Sequence, residues 1–138
     1  MTILVSACLM GENCKYNGGN NYSEKLARLA ETNEIIPVCP EVLGGLPVPR
    51  TPAEIVNGKV VNKNGVSVDA EFRLGALRAL EIARKRPVDY AVLQSRSPSC
   101  GCRQIYDGSF TGKRMEGKGV FAQLLSENGY SLVDIEEL

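Results

Sequence analysis

The chain has 138 residues, with 16 Lys and Arg against 16 Asp and Glu and no Trp, so the electrostatic and stacking case for a nucleic acid or an anionic membrane as partner is absent. It also has no His, which excludes Ser-His-Asp and Cys-His nucleophiles and His-ligated zinc or iron. Any metal must be held by thiolates, carboxylates or neutral oxygens, and the length suits one domain with a real core.

In chain order, residues 3–7 read as a buried strand and 10–22 as a polar, glycine-bearing loop. Residues 23–32 read as a helix, with Leu26, Leu29 and Ala30 at helical spacing and Ser23 as N-cap. A second strand covers 34–38. The stretch 39–52 holds Gly44-Gly45 and four prolines and is expected to carry no regular structure. Ordered loops of that length are more often functional than idle. Residues 54–68 predict a small β-hairpin excursion on the turn dipeptides Asn57-Gly58 and Asn64-Gly65. The clearest helix spans 69–85, where Phe72, Ala76, Leu80 and Ala83 share one face. A third core strand (89–94), a glycine-rich loop (99–118), a helix opening at Gly119 and closing at Asn128-Gly129, and a last strand (130–135) complete the chain.

Strands alternating with helices imply an α/β fold: a single three-layer domain over 1–138, with a mostly parallel sheet. No stretch approaches the roughly 20 apolar residues of a membrane span, and no signal peptide is recognisable, so the expected location is cytoplasmic. In that compartment a set of cysteines points to metal or catalysis more often than to disulfides.

Three of the five cysteines follow strand-like runs. Cys8 comes after Ile3–Ala7, Cys39 after Ile35–Val38, and Cys100 after Tyr90–Leu93 and a serine-rich loop. Parallel strands would bring all three thiols to one carboxyl edge, where open α/β sheets bind ligands. Three thiolates there would make a metal site with one position open. The competing reading is that they are small buried hydrophobes. Cys14 and Cys102 are weaker candidates. Glu41, two residues past Cys39, could shuttle a proton near such a site. The segment Ser95–Cys100 is dense in donors, and Lys15 and Tyr16 could offer a cation and a ring to a substrate.

The same residues carry a resemblance. The segments Ile3–Gly11, Cys14–Gly18, Val38–Arg50, Arg96–Gly101 and Ile105–Phe110 resemble the bacterial thiouracil desulfidase family, in order and over nearly the whole chain. The resemblance implies an oxygen-sensitive [4Fe-4S] cluster held by Cys8, Cys39 and Cys100, with one iron free of protein ligands. It implies non-redox removal of sulfur from a thiolated pyrimidine such as 2-thiouracil, with sulfide released. Glu41 is then the acid/base and Ser97 the side chain that positions substrate or water, with Ser99 a second candidate. Arg50 would bind a carbonyl oxygen or brace its loop, and Lys15 would contact substrate. Cys102 departs from the family pattern. If it reached the fourth iron, the protein would be an Fe–S carrier or redox protein. A zinc or thiol regulatory module is the remaining rival. The sequence does not speak to oligomeric state.

Overall fold

The computed structural model describes residues 1–138. Its elements run β1 (Thr2–Ser6), α1 (Glu24–Ala30), β2 (Glu34–Val38), α2 (Pro40–Leu43), β3 (Ala53–Val56), β4 (Lys59–Asn62), α3 (Asp69–Arg84), β5 (Tyr90–Leu93), β6 (Gln104–Tyr106), β7 (Arg114–Glu116), α4 (Val120–Glu127) and β8 (Leu132–Asp134). Short 3-10 turns follow β1 and β8, at Ala7–Met10 and Ile135–Glu137.

The four core strands pair in parallel in the order β2-β1-β5-β8, with Ile3 opposite both Ile35 and Tyr90. Side chains alternate across the sheet. Ile3, Val5 and Val92 pack with Leu9 and with Leu26 of α1 on one face. Leu4, Ile36, Val38, Ala91 and Leu93 join the larger core on the other, built around Phe72 of α3 and Phe121 of α4. The sheet is thus sandwiched between helices, as the alternating pattern predicts. β2 lies on one side of β1 while β5 and β8 lie on the other. This reversal of strand order is a topological switch point, and it opens a crevice at the carboxyl ends of β1 and β5.

Local chemistry accounts for the elements. Ser23 Oγ accepts the Leu26 N–H at 3.3 Å and starts α1. Asp69, in the first turn of α3, accepts the Val60 N–H at 3.0 Å and ties that helix to β4. Phe72, Ala76, Leu80 and Ala83 are all buried, the face expected from their spacing. Asn57 and Gly58 both take positive φ (50° and 79°), which sets the β3–β4 turn.

Two stretches differ from expectation. Residues 39–52 are not wholly irregular, because α2 occupies Pro40–Leu43. Pro40 stands at its first turn, where a missing N–H costs nothing. This helix crosses α3 on glycines: a Cβ on Gly75 would overlap the Pro40 carbonyl, and one on Gly44 would overlap the backbone of Glu71. Residues 99–118 contain the antiparallel hairpin β6–β7, with Ile105 opposite Met115. Its three-residue strands are too short, and β7 too exposed, to show alternation in sequence.

Candidate active site

A cavity of about 520 Å³ opens where β1, β2 and β5 end, within the range that houses small molecules. Cys8 reaches it from the turn after β1, Cys39 directly after β2, and Cys100 from the loop after β5. The three principal cysteines and every residue expected to meet substrate line it: Cys8, Lys15, Cys39, Glu41, Arg50, Ser97, Ser99 and Cys100. Cys14 lines it too. Cys102 does not; it is buried in the larger core. All five thiols are free. No three Cys, Asp or Glu side chains gather at one point as a mononuclear ion requires.

Their electrostatics differ. Cys39 is drawn down to about 7, chiefly by a hydrogen bond from the Cys14 thiol, with desolvation opposing and the Val42 N–H and Arg50 assisting. Cys14 is pushed far up by the same contact, then by burial. Cys39 Sγ also lies 3.9 Å from the Cys14 carbonyl oxygen, so the two residues are in direct contact. Burial raises Cys100, against a hydrogen bond from Ser6, and Ser99 Oγ lies 3.7 Å from its sulfur. Burial also raises Cys8, against a hydrogen bond from Asn21, whose amide lies 3.5 Å from Cys8 Sγ.

Glu41 is the hub of a buried network. Arg50 Nε donates to its Oε1 at 3.1 Å, and the side chains are only 15% and 7% exposed. Arg50 also donates to the carbonyls of Pro47 (3.2 Å) and Cys14 (2.8 Å), so its guanidinium braces three segments of the wall. Ser99 Oγ donates to Glu41 Oε2 at 2.8 Å, and Ser97 Oγ lies 3.0 Å from Ser99 Oγ. Ser97 Oγ already accepts the N–H groups of Ser99 (3.1 Å) and Cys100 (3.0 Å). Its own proton is therefore left for Ser99. The result is a directional chain from the Ser97 hydroxyl through Ser99 to the Glu41 carboxylate. Lys15 has no carboxylate partner; its ammonium sits 5.9 Å from the centre of the Tyr16 ring.

Three lining residues had no sequence signal of function. Asn21 grips Cys8 twice, with its backbone N–H on the Cys8 carbonyl at 2.9 Å and its amide on the sulfur. Ser6, at the end of β1, accepts the Gln94 N–H at 2.9 Å and touches Cys100. Glu54 belongs to the β3–β4 hairpin and reaches the β6–β7 connection. Each acts through a partner distant in sequence.

A parallel α/β sheet with soft sulfur donors and a carboxylate–hydroxyl chain at its switch point defines a small-molecule enzyme with a site suited to a thiophilic metal centre. Residues 3–137 match the 2-thiouracil desulfurase family, and the chain belongs to it. It is 40% identical to the uncharacterized protein YbbK of Bacillus subtilis (strain 168), over 99% of this chain and 97% of that one. Among solved structures it is similar to the [4Fe-4S]-dependent thiouracil desulfidase TudS, with a TM-score of 0.93 and 40% identity, covering 99% of this chain and 92% of that one.

Proposed function

We propose that this chain is an iron–sulfur-dependent desulfidase that converts a thiolated pyrimidine of the 2-thiouracil kind to its oxo form and releases sulfide. The observation that carries the reading is the meeting, in one cavity, of three strand-end thiols with a glutamate–serine hydrogen-bond chain. In this reading Cys8, Cys39 and Cys100 hold a [4Fe-4S] cluster. Their soft sulfur donors suit iron. The whole of 1–138 acts as one domain. No helix is long and apolar enough to cross a membrane, and five free thiols suit a reducing compartment, the cytoplasm.

When bound, the cluster supplies a soft Lewis acid for the thiocarbonyl sulfur. The net reaction adds water and releases hydrogen sulfide. A C–O bond forms, a C–S bond breaks, and no electrons are transferred to or from the substrate. Ser97, whose hydroxyl is engaged by the Ser99 and Cys100 N–H groups and by Ser99 Oγ, holds Ser99 on Glu41, and the Glu41 carboxylate meets the attacking water. Glu41 takes up a proton and returns it as the sulfur departs. Arg50 holds the other Glu41 oxygen, and Lys15 faces the polar edge of the substrate.

The test is anaerobic reconstitution, counting iron and acid-labile sulfide per chain, followed by sulfide release from 2-thiouracil. About four of each, with an electron paramagnetic resonance signal of a reduced cubane and turnover of the substrate, is the expected result. Zinc in place of iron, or a full cluster without turnover, would overturn the reading.

A further inference from the structure

The two hairpins add a different kind of wall to the same cavity. They contribute Glu54, Tyr106 and Phe110 to its lining. The chain has three phenylalanines. Phe72 and Phe121 are fully buried in the core; Phe110 belongs to neither core cluster and is half-buried against the cavity. Its ring therefore gains little from the protein interior.

Its backbone is also unusual. Phe110 has φ 58°, a conformation uncommon for a bulky residue and one that surrounding contacts must hold. Glu54 supplies those contacts. A single carboxylate oxygen accepts the Gly108 N–H at 3.0 Å and the Phe110 N–H at 3.1 Å. Gly108 lets the segment lie against β3, since a Cβ there would sit 2.6 Å from the Ile55 carbonyl oxygen. A strained backbone, a dedicated carboxylate and a close glycine together fix an apolar ring on the wall of a polar cavity.

We infer that Phe110 stacks on the flat face of the substrate ring, and that Glu54 is its positioning residue. The inference rests on the desulfidase reading and deepens it, because it assigns substrate selection to the hairpins. A stacked ring favours planar, aromatic thiolated heterocycles over their puckered, saturated counterparts. Base–aromatic stacking of this kind changes affinity by roughly tenfold or more.

The probes are 2-thiouracil and 5,6-dihydro-2-thiouracil, offered to the reconstituted holoenzyme. Binding is read by equilibrium dialysis and sulfide release by KM and kcat. The wild type is expected to bind the planar ring roughly tenfold more tightly than the saturated one. Phe110→Leu, which keeps apolar bulk without a π face, should erase that preference by raising Kd and KM for 2-thiouracil, with kcat and iron content unchanged. Phe110→Tyr should keep the preference. Glu54→Ala should mimic Phe110→Leu. Glu54→Gln, whose amide oxygen can accept the same two N–H groups, should behave as wild type. A preference that survives Phe110→Leu overturns the inference, as does a fall in kcat at unchanged Kd and KM. If the wild type binds both probes yet releases no sulfide, the desulfidase reading fails, and the dialysis comparison still decides the stacking.

Discussion

The thiol-bearing wall of the cavity and its aromatic wall are held by different physics. The first hangs directly on the parallel sheet: Cys39 follows the last residue of β2, and Cys8 lies two residues past β1. Its polar groups are satisfied within the wall, Arg50 on Glu41 and Glu41 on Ser99. The second wall stands on two short hairpins outside the sheet, which pack at Gly108 and are hydrogen-bonded to each other through one carboxylate, Glu54, across 54 and 56 residues of sequence. A site that performs chemistry needs groups fixed to a rigid scaffold. A site that selects among substrates can be carried on a looser attachment. The comparison predicts that damage to the first wall abolishes turnover and damage to the second changes preference.

The largest effect expected is loss of the cluster. Cys8→Ser, Cys39→Ser and Cys100→Ser should each lower bound iron and labile sulfide together and remove sulfide release. A variant that kept both counts and full turnover would take that cysteine out of the ligand set. Next comes Glu41→Gln. The amide oxygen can still accept from Arg50, and its NH2 can donate to Ser99 once that hydroxyl turns, so fold and iron content should persist. It cannot relay protons, and kcat should fall roughly 10²–10⁴-fold. Turnover retained at the wild-type level would remove Glu41 from the reaction.

Much of the first wall was legible in the sequence because its signal is one-dimensional. An apolar run followed by Cys, Pro, Gly or Ser marks a strand end wherever the sheet is parallel, and Cys8, Cys39, Cys100 and Glu41 all carry that mark. The order of the serines was harder to read. Sequence ranked Ser97 ahead of Ser99, yet Ser99 is the one bonded to Glu41, because the turn after β5 directs it inward. Arg50 was open between binding a carbonyl and bracing a loop, and only the folded contacts to Pro47, Cys14 and Glu41 reveal how its donors are used. Of the second wall, the β3–β4 hairpin was legible from Asn57-Gly58, but the β6–β7 hairpin was not. β6 and β7 are three residues each, and the fixing of Phe110 depends on a carboxylate from another hairpin. α2 was missed for a related reason: a single turn is sustained by tertiary packing on Gly75, not by its own propensity.

That packing gives a third, intermediate prediction. Gly75→Ala puts a methyl group into the Pro40 carbonyl, so α2 must move off α3. Overpacking of this kind costs roughly 1–3 kcal/mol, read as a lowered urea midpoint of the cluster-free chain. Because α2 carries Glu41, turnover should drop as well, with less effect on the preference for a planar ring. An unchanged midpoint would mean the crossing yields without cost.

The smallest effect is expected at Cys102, and it tests the boundary of the site. Cys100 and Cys102 are two residues apart and both buried, but only Cys100 lines the cavity. The Cys102 thiol is pushed up to about 11, chiefly by burial, with Arg103 opposing and Asp134 and Glu137 assisting. It behaves as a core side chain. Cys102→Ala should cost about 1 kcal/mol of stability for the lost sulfur contacts and leave iron, labile sulfide and turnover at wild-type levels. Loss of iron in that variant would mean that the thiol swings into the cavity and closes the fourth position. A closed cluster has no open iron for substrate sulfur, and the chain would then be a carrier of iron and sulfide with no turnover of its own.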